Sequence, residues 1–147
     1  MIMTDIPEQP LLHSFRVFPE DPAAVPKARR LLLSVVRGWN LPLTDETQDD
    51  LELLSSEVIA NAVLHTTGPC SVTVRWTGVR LRVGVTDTAP GLPAPRSREL
   101  YAESGRGLLL VASVAASWGS ARTATGKVVW FEVAPAVATA GLDRLAS

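Results

Sequence analysis

The sequence has one cysteine, few aromatic residues and no long apolar run. A lone cysteine, Cys70, excludes an internal disulfide and fits a reducing compartment. No apolar stretch approaches the length of a membrane span, which excludes a membrane-spanning protein. The N-terminal segment MIMTDIPEQP is acidic and contains proline, so it is not a signal peptide. The sequence therefore predicts a soluble cytoplasmic protein without a membrane partner.

An excess of positive charge is also missing. The 14 Lys and Arg residues face 15 Asp and Glu residues, and the net charge is −1. A protein that binds nucleic acid directly usually carries many more basic residues, so we expect no nucleic-acid partner. An apolar content of 46% with 20% charged residues is typical of a globular protein. A chain of 147 residues is long enough to bury the core of one domain.

Apolar periodicity predicts the element order β-α-α-β-β-α-β-β. The predicted elements are a strand at 11–18, helices at 22–39 and 44–65, a hairpin of strands at 71–76 and 81–86, a helix at 105–118, and a hairpin of strands at 121–125 and 128–133. Asp21 and Thr44 are the expected caps of the first two helices. This order predicts an α/β two-layer sandwich with helices on one face of a mostly antiparallel sheet. The domain is predicted to span residues 11–134, between a flexible leader at 1–10 and a tail at 135–147.

The segment 51–65, LELLSSEVIANAVLH, carries two kinds of helical stripe. Its apolar stripe, with the i, i+3 and i+4 spacing of a core face, consists of Leu51, Leu54, Val58, Ile59, Ala62 and Val63. Glu57, Asn61 and His65 form a second stripe of polar residues at i, i+4 and i+8 among apolar neighbours. A buried carboxylate or amide needs a partner, because its desolvation costs several kcal/mol. Local hydrogen bonds could satisfy such a stripe, but two glycine-bearing segments downstream favour a functional site.

Those two segments are Asp87-Thr-Ala-Pro-Gly91 and Gly105-Arg106-Gly107-Leu108. The first follows an apolar strand, which places the Asp87 carboxylate at the end of a buried element. An ordinary strand-end turn would use the same residue types. The second precedes an apolar helix, where glycine lets backbone N–H groups approach phosphate oxygens and the helix dipole favours an anion. A glycine before a helix is common, so a bare Gly-x-Gly pattern is weak evidence, but its position after a loop and before an apolar helix strengthens it.

Taken together, the three segments resemble those of the GHKL superfamily of ATPases and kinases, in particular its small bacterial anti-sigma-factor serine kinases and related ATP-binding regulators. The resemblance covers roughly residues 15–133 and implies the Bergerat-type ATP-binding fold, with ATP and Mg²⁺ as cofactors. It implies that Asn61 is a ligand of the metal ion and that Glu57 is the general base. It also implies that Asp87 accepts a hydrogen bond from the exocyclic amine of adenine.

The glycine segments match the pattern of that family incompletely. Gly91 is retained, but Ala89 stands where relatives have the first glycine, and alanine resists a positive φ. The second glycine segment implies that Gly105, Arg106, Gly107 and Leu108 bind the nucleotide phosphates. In the last hairpin many relatives carry a hydroxyl residue near Gly-Lys; here Val128 stands in that position, and we assign no adenine contact there.

The resemblance favours a serine/threonine protein kinase that acts as an anti-sigma factor. Its expected partners are a sigma factor, an anti-anti-sigma antagonist protein that it phosphorylates, or both. Kinases of this type are typically dimers, so a homodimer is also expected. The alternative is a non-catalytic nucleotide-binding regulator that switches partners by binding alone, and a third reading is a module that no longer binds nucleotide. Glu57 favours the kinase, because a protein that only binds nucleotide has no need of a base.

Overall fold

Five strands and two helices form the part of the chain that the structure, a computed structural model, describes. Residues 11–66, 68–87, 114–124 and 126–134 are described. In chain order the elements are β1 (Leu11–Val17), α1 (Ala24–Gly38), α2 (Asp45–His65), β2 (Cys70–Trp76), β3 (Leu81–Asp87), β4 (Ser117–Arg122) and β5 (Lys127–Val133). The predicted leader and tail lie outside the described residues.

The strands form one sheet in the order β1-β2-β3-β5-β4. Every pair of neighbours in this described sheet is antiparallel. Helix α1 packs against α2 and β1, and α2 packs against β2, β3 and β5. This arrangement confirms the predicted α/β two-layer sandwich with a largely antiparallel sheet.

Alternate residues of the central strands are buried, so the sheet has two different faces. The buried set, which we call the helix-facing face, includes Val72, Val74, Leu81, Val83, Val85, Val129, Phe131 and Val133. The intervening residues of β3 and β5, which are only half-buried, define the open face: Arg82, Gly84, Thr86, Val128, Trp130 and Glu132. Each large apolar side chain on the helix-facing face stabilises the fold by about 1.5–3 kcal/mol through burial.

Helix α2 confirms the predicted cap and apolar stripe. The Thr44 side chain accepts a hydrogen bond from the backbone N–H of Thr47 at 3.2 Å. Asp45 and Glu46 lie in the first turn, where the helix dipole favours negative charge. Five residues of the predicted apolar stripe are buried: Leu51, Leu54, Val58, Ile59 and Ala62. The buried apolar stripe therefore fixes the rotation of α2 about its own axis, and with it the direction in which the polar stripe faces.

The start of α1 differs from the prediction. Asp21 is not its N-cap: the helix begins at Ala24, and Ala23 occupies the cap position without a side-chain hydrogen bond. The Asp21 carboxylate instead accepts a hydrogen bond from the backbone N–H of Ala23 at 2.8 Å and pairs with Lys27 at 2.8 Å. The hydrogen bond from Lys27, followed by that from Ala23, lowers the pKa of Asp21. A local turn over Asp21 to Ala24 thus takes the carboxylate away from the helix end.

The hairpin of β2 and β3 is confirmed, and the C-terminal hairpin begins earlier than predicted. Between β2 and β3, Gly78 has a φ of 94°, which glycine adopts without the strain of a side chain. The helix predicted at 105–118 is wrong at its end, because Ser117 and Trp118 belong to β4. Trp118 pairs in register with Phe131 of β5, and this tertiary pairing overrides the alanine-rich helical pattern before it. Most of the predicted helix lies outside the described residues.

Candidate functional site

Asn61 is the central polar residue of the stripe on α2, and the structure buries it. Its side chain is 6% exposed, and its amide oxygen Oδ1 has no hydrogen-bond partner among the described residues. A buried amide oxygen without a partner costs about 1–3 kcal/mol. Ser55 also has a buried hydroxyl without a described partner, but it lies about 120° around the helix from Asn61. Asn61 therefore presents a neutral oxygen acceptor that is suited to an incoming ligand.

Glu57 and His65 lie one turn before and one turn after Asn61 on the same helix. Both are half-buried, so each can reach solvent or a ligand. Of the three residues in the polar stripe, the middle one, Asn61, is the most buried. The Glu57 carboxylate is thus more accessible to solvent than the Asn61 amide.

Asp87 ends strand β3 on the helix-facing face. It is 2% exposed, and its Oδ1 accepts a hydrogen bond from the backbone N–H of Lys127 at 3.3 Å. The two residues are register partners across the pair of β3 and β5. The pairing of β3 with β5 therefore fixes the backbone that carries this carboxylate. A rigidly held carboxylate is suited to accepting a hydrogen bond from a ligand amine.

Gly126 makes this arrangement possible. A Cβ atom added to Gly126 would lie 2.1 Å from the backbone oxygen of Asp87 and 3.0 Å from its Oδ1. Because the nearer atom belongs to the backbone, a side chain could be accommodated only by separating the end of β3 from the start of β5. Gly126 is therefore required for the close approach that holds Asp87.

The negative charge of Asp87 also acts on Cys70, the buried first residue of β2. Desolvation, and to a smaller extent the Asp87 carboxylate, raises the pKa of the Cys70 thiol from 9.0 to about 11. The thiolate is the nucleophilic form, so this shift suppresses thiol chemistry at neutral pH. Cys70 is a core residue, in agreement with the absence of any catalytic pattern around it in the sequence.

The remaining predicted site residues lie outside the described residues. They are Gly91, Gly105, Arg106, Gly107 and Leu108, and Ala89, which replaces the first glycine of the family pattern, lies there as well. Their roles stay predictions. The described candidate residues are thus Glu57 and Asn61 on α2 and Asp87 at the end of β3, the strand against which α2 packs.

Lys127, the register partner of Asp87, is a residue that the sequence reasoning did not single out. Only 7% of it is exposed, and it lies on the helix-facing face directly opposite Asp87. Val128, to which we assign no adenine contact, lies on the open face, whereas Lys127 lies on the helix-facing face with Asp87. The alternation of Lys127 with Val129 and Phe131 contained this signal, because residues two apart on a strand share a face.

Within the described ranges, no group of three or more His, Cys, Asp or Glu residues could hold a metal ion. Mg²⁺ often binds through one or two protein oxygens together with substrate phosphates and water. The unpartnered oxygen of Asn61 fits that pattern. No helix in the described part of the chain has the length and apolar character needed to cross a membrane.

The family of the chain follows from its sequence. The model of the histidine kinase-like ATPase domain family matches residues 18–133, and the chain belongs to this family. The match extends from the end of β1 to the end of β5, so it includes Glu57, Asn61 and Asp87. A comparison with curated protein sequences found no significant match.

Two solved structures from Erythrobacter litoralis EL346 are similar to the chain. Its match to the histidine kinase domain of a blue-light activated histidine kinase has 29% identity and a TM-score of 0.46, and covers 62% of this chain and 46% of that one. The match to the blue-light activated histidine kinase itself has 24% identity and a TM-score of 0.44, and covers 67% of this chain and 33% of that one. The chain thus spans less than half the length of either protein.

Proposed function

We propose that this protein is a Mg·ATP-dependent serine/threonine protein kinase of the anti-sigma-factor type. Membership of the histidine kinase-like ATPase family supports ATP as the nucleotide. The observation that carries the proposal is the buried, unpartnered amide oxygen of Asn61, one helical turn after the half-buried carboxylate of Glu57. A metal-bound triphosphate needs an oxygen ligand, and phosphoryl transfer to a hydroxyl needs a base beside it.

Each of the three described site residues has a separate task in this proposal. Asp87 accepts a hydrogen bond from the exocyclic amine of adenine, and Asn61 offers its Oδ1 to Mg²⁺. When bound, Mg²⁺ neutralises charge on the phosphates. Glu57 takes the proton of a serine or threonine hydroxyl. The hydroxyl oxygen then bonds to the γ-phosphorus while the bond between that phosphorus and the leaving oxygen of ADP breaks, with the electron pair staying on ADP.

The proposed protein substrate is an anti-anti-sigma antagonist, and the proposed regulated partner is a sigma factor. A homodimer is the proposed assembly. These partners follow from the resemblance to small anti-sigma-factor kinases. We propose that the protein acts in the cytoplasm, where ATP and both partners would be available.

The test compares two substitutions on α2 that separate binding from transfer. Asn61→Ala should remove the enhancement of ATP binding by Mg²⁺ and abolish transfer. Glu57→Gln keeps the shape of the side chain, so ATP affinity should persist or rise as a negative charge near the γ-phosphate disappears. Its transfer rate should fall by about 100-fold or more, the usual contribution of a positioned base. Calorimetric titration measures binding, and transfer of radiolabelled phosphate to an antagonist that co-purifies with the protein measures catalysis.

Glu52→Gln is the matched control, because Glu52 lies on the same helix outside the site and faces Arg29 at 3.9 Å. It should leave both binding and transfer unchanged. Transfer by Glu57→Gln at the wild-type rate would remove Glu57 from the role of base. A wild-type protein that binds Mg·ATP but labels no co-purifying partner would instead support the non-catalytic regulator.

A further inference from the structure

The open face of the sheet contains a shallow groove of about 400 Å³. Gly84 lies in the groove, and its register partners on the neighbouring strands are Thr73 and Trp130. Because glycine has no side chain, the middle of the sheet is lower than the residues on either side of it. Leu12, which is 59% exposed, lines the groove at the β1 edge of the sheet. The groove is therefore partly apolar and open to solvent.

The groove is also basic, although the whole chain has a net charge of −1. Arg75 and Arg82 line it, and Arg16 lies on the same face as the register partner of Ser71. Arg82 pairs with Glu132, which is the only acidic residue on the open face of the five described strands. The ion pairs formed among the described residues include neither Arg16 nor Arg75. Charge complementarity therefore calls for an acidic occupant with apolar side chains.

The segment that precedes β1 has that composition. Residues 1–10 include two acidic residues, Asp5 and Glu8, and no Lys or Arg, and four of the ten are Met or Ile. Pro7 and Pro10 have no backbone N–H to donate to a sheet ladder. These prolines disfavour a continuation of β1 alongside β2, so the segment is better suited to leaving the plane of the sheet.

This segment is also long enough to reach the arginines. Leu12 is in register with Arg75, and Arg75 with Arg82. Neighbouring strands are about 4.8 Å apart, so Arg82 lies about 10 Å from β1. An extended chain spans about 3.3 Å per residue, so Glu8 and Asp5 can lie up to about 10 Å and 20 Å from the start of β1. Both carboxylates therefore fall within reach of the groove.

We propose that residues 1–10 fold back over the open face and occupy this groove. Glu8 and Asp5 then lie beside the arginines, and apolar side chains of the segment pack against Trp130. Trp130 is three strands from β1, or about 14 Å, which is within reach of the residues around Ile6. The segment predicted to be a flexible leader is, in this proposal, held on the sheet.

The proposed docking surface is separate from the proposed ATP site. The groove lies on the open face, whereas Asp87 and the helix that carries Asn61 lie on the other side of the sheet. Residues of the groove can therefore be changed without touching a residue proposed to bind nucleotide. This inference does not depend on the proposed function.

The experiment places a nitroxide spin label on the full chain through Met3→Cys and records the NMR signals that the label broadens. The native thiol, Cys70, is fully buried, so the label attaches at position 3. If the segment occupies the groove, the backbone N–H signal of Gly84 and the indole N–H signal of Trp130 should lose most of their intensity. Gly38, at the end of α1, should keep its signal.

A charge reversal in the groove tests the electrostatic part of the proposal. Arg75→Glu should lower the ratio of docked to free segment by about fivefold or more, because an attraction between solvated charges becomes a repulsion. Combining it with Glu8→Arg should restore the broadening. Arg37→Glu is the matched control, because Arg37 is an exposed arginine on α1 that lies outside the groove. It should leave the broadening unchanged, and Arg75→Glu and Arg37→Glu should both keep the wild-type affinity for Mg·ATP.

Three outcomes would overturn the proposal. The first is full signal intensity at Gly84 and Trp130 in the labelled chain, which does not depend on any substitution in the groove. The second is broadening in a mixture where the spin label and the NMR isotope are on different chains, since the occupant is then the segment of a second copy. The third is unchanged broadening in Arg75→Glu. A wild-type protein that fails to bind ATP would contradict the proposed function and leave this inference standing.

Discussion

The two faces of the sheet carry charged residues in different surroundings. On the open face, the carboxylate of Glu132 forms ion pairs with the guanidinium groups of Arg80, at 3.3 Å, and Arg82, at 3.6 Å. Both arginine side chains remain more than a third exposed. Arg82 also lies over the ring of Trp130, 3.9 Å from its centroid. On the helix-facing face, Asp87 and Lys127 are almost completely buried. The same strands therefore carry partly solvated ion pairs on one side and buried charges on the other.

This difference determines how much each charge costs the folded protein. An ion pair in contact with water contributes about 0–1 kcal/mol, and its members are easily replaced. A buried charge has a desolvation cost of several kcal/mol that its surroundings must offset. Charges on the open face thus cost the folded protein little. Asp87 and Lys127, at the meeting point of β3 and β5, carry opposite charges and are register partners, so each can offset part of the desolvation cost of the other.

The largest contrast between the faces should come from two consecutive aromatic residues of β5. Phe131 is fully buried on the helix-facing face, while Trp130 is half-buried on the open face. Phe131→Ala should lower the free energy of unfolding by about 4 kcal/mol, because it leaves a cavity in the core. Trp130→Ala should lower it by about 2 kcal/mol, because solvent already reaches part of the ring. Urea denaturation measures the free energy of unfolding of both variants. Equal losses of stability would show that the two faces do not differ in packing.

Two glycines test the same contrast at the level of the backbone. Gly126→Ala should lower the free energy of unfolding by about 3 kcal/mol, since its Cβ would meet the backbone oxygen of Asp87. Gly84→Ala, on the open face, would make only ordinary contacts at 3.7 Å and 3.9 Å with Val128 and Trp130. It should leave stability unchanged or raise it by about 0.5 kcal/mol. Thermal and urea unfolding check both values. If Gly126→Ala is as stable as Gly84→Ala, the tight approach at Asp87 is not required.

The smallest expected effect belongs to the ion pairs of the open face. Glu132→Gln should cost about 1 kcal/mol at low salt and less in 1 M salt, because its arginine partners are solvated. Its remaining hydrogen bond, from Ser117 at 3.2 Å, can survive the substitution. Urea denaturation at two salt concentrations gives the comparison. A loss above 2 kcal/mol that ignores salt would contradict the view that this face is solvated.

The sequence predicted α2 and the stripe of candidate residues on it well, because local patterns determine them. The Thr44 cap and the apolar stripe of α2 depend on contacts within a few residues, and both are confirmed. That stripe fixes the rotation of the helix, so the burial of Asn61 could be anticipated as well. Asp21 was predicted wrongly because a turn and a cap use the same residue type, and backbone geometry alone distinguishes them.

Pairing across the sheet was harder to predict. The strand β4 has the sequence SWGSAR, which contains no β-branched residue, and its pairing with β5 brings Gly119 against the ring of Trp130. A contact of that kind has no local signal. Lys127 was missed for a related reason, since Gly126-Lys127 has the composition of a turn. Only the register with Asp87 reveals that Lys127 already belongs to the strand.

The position of β1 in the sheet has a consequence for synthesis of the chain on the ribosome. Ser14 of β1 bonds to Thr73 of β2, a residue 59 positions later. At about 5–20 residues per second, β1 emerges about 3–12 s before its partner strand. During that interval α1 and α2 can form and pack together, whereas β1 has only a helical surface to contact. An unpaired strand can associate with other chains. The nascent protein is therefore most vulnerable to aggregation before β2 is complete.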